Sequence, residues 1–148
     1  MADHEFITEQ QVRSACEKLG ISDWSAKKDG SVDKREAELI RLVIGGETLD
    51  IPLAEFKSGL EIELEHGVRF PEANVSGNHP IATGRIVLAH LKESLDYYLR
   101  LECMELEMEL TKALAQGDPE RAVGKRRALA TARETLEKRI YEALSKKN

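Results

Sequence analysis

The chain has 148 residues, of which 41% are hydrophobic and 33% charged, and its formal net charge is −5. This length and composition favour one soluble domain over a disordered chain. Because aromatic residues make up only 5% of the chain, a strand-rich fold is disfavoured. We predict an all-α, single-domain bundle of five or six helices over residues 1–148.

The N-terminal segment lacks an apolar signal core, and no apolar run approaches the roughly 20 residues that span a bilayer. We therefore expect a cytoplasmic protein that does not bind membranes. The two cysteines, Cys16 and Cys103, lack the Cys-x-x-Cys spacing of zinc and redox sites. Both lie on the apolar stripes of predicted helices, so we expect buried free thiols.

The first predicted helix covers residues 7–21. Thr8 and Gln11 have the spacing of a capping box, and Gly20 is suited to end the helix. Apolar side chains recur at helical spacing between these ends, which predicts one buried face.

Residues 25–50 have two interpretations. The sequence from 33 to 43 fits a helix that ends at Gly45 and Gly46. The same glycines also fit the turn of a β-hairpin between two short runs of strand-forming residues. We favour the helix.

The next two helices are predicted over residues 52–66 and 81–93. Pro52 suits a first helical position, and Gly67 is expected to stop the helix that begins there. The intervening residues 68–80 contain two prolines, two asparagines and a glycine, which predicts a loop.

A break near Leu95 separates these helices from a long C-terminal hairpin of two helices over residues 96–145. The Gly-Asp-Pro-Glu run at 117–120 supplies a stop and a restart, so the two helices are expected to be antiparallel. Two helices alone cannot cover all of their apolar side chains. We therefore expect the hairpin to pack on the N-terminal helices or on a second copy, and we predict a homo-oligomer.

Two polar clusters form the candidate site. Glu63 and His66 lie three residues apart on one predicted helix, and His90 and Glu93 have the same spacing on the next. Carboxylate and imidazole groups suit Fe, Mn or Zn, and two histidines with one carboxylate leave positions open for water or substrate. We therefore name these four residues as candidate metal ligands. Without a metal, the same groups could bind a small ligand or do acid–base chemistry.

Further residues are candidates to support this set through hydrogen bonds. They are Glu65, Asn74, Thr83, Tyr97 and Tyr98. The alternative is structural, since His66 near a helix C-terminus interacts favourably with the helix dipole. The cluster would then be a buried polar network that fixes helix register.

A series of short motifs runs through the same region. Glu-Leu-Glu-His-Gly at 63–67 is followed by Asn-Val at 74–75, Thr-Gly-Arg-Ile at 83–86, His-Leu-x-Glu at 90–93 and Asp-Tyr-Tyr at 96–98. This pattern resembles a family of short bacterial and phage proteins of unknown function. The resemblance implies that residues 25–50 are a possible insertion. It identifies residues to test but implies no reaction. The phage distribution of the similar proteins implies an alternative role as a virion or scaffold component without small-molecule chemistry.

Other functions find less support in the sequence. It has no Gly-x-Ser-x-Gly motif, Walker lysine or dinucleotide fingerprint. The basic run at 124–133 is the one candidate for nucleic-acid binding. Because Arg126 and Arg133 fall near the apolar stripe of their helix, we expect them to pair with acids of the preceding helix. Nucleic-acid binding is therefore not expected.

Overall fold

The computed structural model describes residues 7–146, which contain six α-helices and no strand. In chain order the helices are α1 Glu9–Leu19, α2 Lys34–Ile44, α3 Leu53–Arg69, α4 Pro80–Glu93, α5 Tyr97–Ala115 and α6 Pro119–Ser145. The chain divides into two compact units, Met1–Lys92 and Glu93–Asn148. The predicted all-α class and the number of helices are confirmed. The assignment of residues 1–148 to a single domain stays a prediction.

The predicted ends of α1 are confirmed. The hydroxyl of Thr8 accepts a hydrogen bond from the backbone N–H of Gln11 at 3.2 Å, and the Gln11 side chain accepts one from the Thr8 N–H at 2.7 Å. Gly20 ends the helix with a φ of +67°, which is a conformation that glycine adopts without steric cost.

Residues 34–44 form helix α2, so the hairpin interpretation of this segment is wrong. Asp33 caps the helix by accepting from the N–H of Arg35 at 2.7 Å, and Glu36 accepts from the N–H of Asp33 at 3.3 Å. This second capping box begins the helix, and Gly45 ends it with a φ of +64°. The segment is then followed by a short 3₁₀ turn over Gly46–Asp50 in place of a strand.

Helix α3 runs two residues past Gly67, so the predicted stop at Gly67 is wrong. The glycine serves close packing instead, because a Cβ atom at this position would lie 2.8 Å from the side-chain nitrogen of Asn74. Pro52 precedes the first helical residue as the N-cap and is not itself helical.

The core of the first unit holds α2, α3 and α4 together. Ile40 of α2 and Phe56 and Leu60 of α3 are fully buried, as is Trp24 in the segment before α2. Gly84 lets α4 approach closely, since a Cβ there would lie 2.9 Å from Cγ2 of Ile40 and 3.3 Å from the ring of Phe56. This packing fixes the position of α4 relative to α3, and these two helices carry the candidate site.

In the second unit, α5 and α6 form the predicted antiparallel hairpin. A small core of Cys103, Leu129 and Ala132 lies between the two helices, flanked by partly buried leucines. Arg133 of α6 pairs with Glu107 of α5, as expected, whereas Arg126 has no ion pair among residues 7–146.

Cys16 and Cys103 are buried free thiols, as predicted. Within residues 7–146, none of the helices combines the length and the apolar character that a membrane span requires.

Candidate functional site

One residue from each predicted polar cluster meets the other between α3 and α4. Atom Nε2 of His90 lies 3.6 Å from Oε1 of Glu63. The Glu63 side chain is 17% exposed and that of His90 is 31% exposed, so both are reachable from solvent while partly enclosed. The distance is that of an ion pair once the imidazole is protonated, and it exceeds a direct hydrogen bond.

A pocket of about 250 Å³ opens beside Glu63, at the C-terminal end of α3. Glu63, His66 and Gly67 contribute the α3 wall, and Ile86 contributes the α4 wall. The segment over residues 70–76 supplies the remaining lining. The pocket therefore lies between the first polar cluster and the loop that was predicted between the two helices.

Hydrogen bonds hold this loop against α3. The side-chain amide of Asn74 donates to the carbonyl oxygen of Gly67 at 3.2 Å and to Oδ1 of Asn78 at 2.7 Å. Ser76 donates to Oδ1 of Asn74 at 3.1 Å, and the buried hydroxyl of Thr83 donates to Ser76 at 3.4 Å. The pocket wall is thus fixed before any ligand binds, which lowers the entropic cost of binding.

The lining combines negative charge with apolar surface. Glu63 offers a carboxylate, and the carbonyl end of α3 adds partial negative charge from the helix dipole. Phe70 and Val75 are 44% and 77% exposed at the pocket, and Ile86 lies across from them on α4. This arrangement suits a ligand that carries a positive or hydrogen-donating group on an apolar body.

Three other predicted residues lie away from this pocket or behind it. Glu65 is exposed and lines a separate depression with Lys28. Thr83 is buried and donates a hydrogen bond to Ser76 of the loop. Glu93 is exposed and is the last residue of α4. Among residues 7–146, no group of three or more His, Cys, Asp or Glu side chains is arranged to hold a metal ion.

Tyr97 and Tyr98 begin α5 in the second unit. Their rings pack edge to face, with centroids 5.1 Å apart and planes at 82°, and Tyr98 is buried. Their predicted role beside the histidines stays a prediction.

The sequence did not single out several residues that shape the pocket. Phe70, Val75 and Ile86 carry no chemical signature, because isolated apolar residues in a loop or helix have many roles. Asn78 could have been recognised, since the Gly77-Asn78 pair is a turn signal and Asn78 has a φ of +63°.

Comparison with known proteins gives one match. A family model described as Protein of unknown function (DUF5661) matches residues 12–107, which include every residue that lines the pocket. No curated protein and no solved structure has a significant match to the chain.

Proposed function

The chain belongs to the family described as Protein of unknown function (DUF5661), and we propose that it binds a small ligand in the pocket between α3, residues 70–76 and α4. The observation that carries the proposal is that His90 approaches Glu63 to 3.6 Å, and that Glu63 and His66 line one partly enclosed pocket. We further propose that it is a bacterial or phage protein that acts in the cytoplasm.

The proposed ligand is a protonated amine attached to a small apolar group. The Glu63 carboxylate would accept hydrogen bonds from the ammonium group, and the carbonyl end of α3 would favour its charge. Phe70 and Val75 would cover the apolar part. His90 would orient the carboxylate across the 3.6 Å gap, and His66 would offer a second polar contact.

A divalent metal ion, Fe, Mn or Zn, is the other proposed occupant. Glu63 and His90 are already close enough for their side chains to turn toward a shared ion. His66 or Glu93 would have to rotate to supply a third ligand. We favour the amine because it requires no rearrangement of these side chains.

We expect Glu63→Gln to weaken binding of amine fragments at least tenfold, because a hydrogen bond to a charged partner contributes about 1.5–3 kcal/mol. The measurement is a ligand-observed NMR screen of aromatic and aliphatic amines, followed by calorimetry of the hits. The same proteins are titrated with Zn²⁺ and Mn²⁺. Metal binding at one equivalent that is lost in both Glu63→Gln and His90→Ala would identify the metal as the occupant.

The matched control is Glu65→Gln, since Glu65 lies two residues away on the same helix but lines a different depression. This variant should bind the fragments as the wild type does. Equal affinities in the Glu63 and Glu65 variants, for amines and for metals, would contradict the proposal.

A second function, self-assembly through the α5–α6 hairpin, is favoured by the apolar side chains that it leaves exposed. Met104 and Met108, one turn apart on α5, are 49% and 46% exposed. Helix α5 carries four acidic and two basic side chains, whereas α6 carries four acidic and seven basic ones. We propose that α5 of one copy faces α6 of a second copy, so that opposite charges attract and the methionines are covered. A virion or scaffold component could be built on such a homodimer.

We expect sedimentation velocity to give about twice the 16.6 kDa chain mass for the wild type. The double variant Met104→Lys, Met108→Lys should sediment as a monomer, because burying two ammonium groups in the interface costs several kcal/mol. Leu49→Lys, at an exposed position of the first unit, is the control and should remain dimeric. The protein concentration is about 100 μM, well above a dimer dissociation constant of about 1 μM. A monomeric wild type at this concentration would rule out this second function.

A further inference from the structure

A second, larger pocket lies between α1 and the start of α4. Its volume is about 550 Å³. Gln11, Ser14 and Lys18 line it from α1. His79, just before α4, and Arg85 of α4 line the opposite side. It shares no lining residue with the pocket of the proposed function.

The charged side chains that line this pocket are basic. Lys18 projects from α1 and Arg85 from α4, and within residues 7–146 the lining includes no acidic residue. Among residues 7–146, neither side chain forms an ion pair or a side-chain hydrogen bond. Arg13, elsewhere on α1, contrasts with them because it pairs with both Glu9 and Asp23. Two like charges that share a pocket, with no counter-charge among the described residues, attract an anion.

His79 adds a neutral hydrogen-bond donor to the same pocket. Its Nδ1 atom accepts from the backbone N–H groups of Ile81 and Ala82 at 3.3 and 3.4 Å. The proton of the neutral imidazole must therefore be on Nε2. Burial and the nearby Arg85 charge both lower the pKa of His79, so the ring is neutral at pH 7. The first turn of α4 also contributes the positive end of its helix dipole.

We propose that this pocket binds the phosphate group of a small phosphorylated molecule, with Lys18 and Arg85 as the charged contacts and His79 as a neutral donor. Arg85 offers the paired N–H groups that match phosphate oxygens. The volume exceeds that of a phosphate group, which leaves room for the rest of the molecule on the apolar side chains of Ile7 and Ile81. This site does not depend on the proposed function.

The test uses the full-length protein and two probes, inorganic phosphate and glycerol 3-phosphate, at constant ionic strength. Histidine NMR signals are followed during each titration. We expect saturable binding that shifts the His79 signals and raises the pKa of His79, since a bound anion offsets the Arg85 charge. Lys18→Gln and Arg85→Gln should each weaken glycerol 3-phosphate binding at least fivefold.

Lys28→Gln is the control, because Lys28 is an exposed base that lines a different depression, beside Asp29 and Glu61. It should bind as the wild type does. A non-saturable response, or equal losses in the Lys28 and Arg85 variants, would show general charge screening and overturn the proposal. Co-sedimentation with phosphatidylglycerol vesicles separates the two sources of phosphate. Binding to vesicles without binding to glycerol 3-phosphate would also overturn it.

Discussion

Gly67→Ala is expected to destabilise the first unit by about 2 kcal/mol, although helix propensity predicts the opposite sign. In an open helix, replacing glycine with alanine stabilises by about 1 kcal/mol. At position 67 the added methyl would overlap Oδ1 of Asn78 and lie 2.8 Å from Nδ2 of Asn74. It would separate the amide pair that holds the pocket loop, so overpacking and lost hydrogen bonds outweigh the gain in propensity.

The measurement is urea unfolding followed by fluorescence of Trp24, the single tryptophan of the chain, which is fully buried in the first unit. Gly124→Ala is the matched control, because Gly124 is also helical and a Cβ there would meet nothing within 4 Å. Its unfolding, followed by circular dichroism, should show unchanged or increased stability. A stabilising effect at both glycines would contradict the packing described for Gly67.

Glu36→Ala is expected to cost about 3 kcal/mol, the largest loss predicted here for one side chain. Glu36 is 6% exposed, and its carboxylate accepts from the N–H and hydroxyl groups of Ser22 and from the N–H of Asp33. Lys27 lies 3.8 Å away. Removal would leave these donors without their acceptor and Lys27 without its counter-charge. Glu17→Ala, at an exposed position of α1, should change stability by less than about 0.5 kcal/mol.

The contribution of Glu36 should also depend on pH. Burial alone would raise the pKa of Glu36, but the hydrogen bonds from Ser22 and Asp33 outweigh it and lower the pKa below 4.5. A carboxyl whose folded pKa is lowered stabilises fully above its unfolded pKa and loses that contribution as pH falls through the folded pKa. The stability difference between wild type and Glu36→Gln should therefore be largest above pH 4.5 and shrink below it. A constant difference between pH 7 and pH 3 would contradict this assignment.

The ends of a helix could be predicted where the capping residues lie close together in the sequence. Thr8 with Gln11 and Gly20 act within one turn of chain, so their spacing alone gave both ends of α1. The stop predicted at Gly67 was wrong. A glycine near a helix end is ordinarily a stop signal, whereas this glycine allows close packing. Its role depends on Asn74 and Asn78, which contact it only after the loop folds back.

The site could be predicted in part. The spacing of Glu63 and His66 placed them together on one helix, but the approach of His90 depends on how α4 packs against α3. That packing rests on Gly84 and the buried core, which spacing does not reveal. The sequence could have placed Glu65 away from the pocket of Glu63, since side chains two residues apart on a helix face different directions.

The most direct test of the central claim follows the imidazole signals of the whole protein by NMR during the amine fragment screen. Fragments that bind should shift the His66 and His90 signals together, leave His79 unchanged, and lose both shifts in Glu63→Gln. Glu63 and His66 line one pocket and His90 lies 3.6 Å from Glu63, whereas His79 lines another pocket. Shifts of His66 without His90, or equal shifts in the wild type and Glu63→Gln, would contradict it.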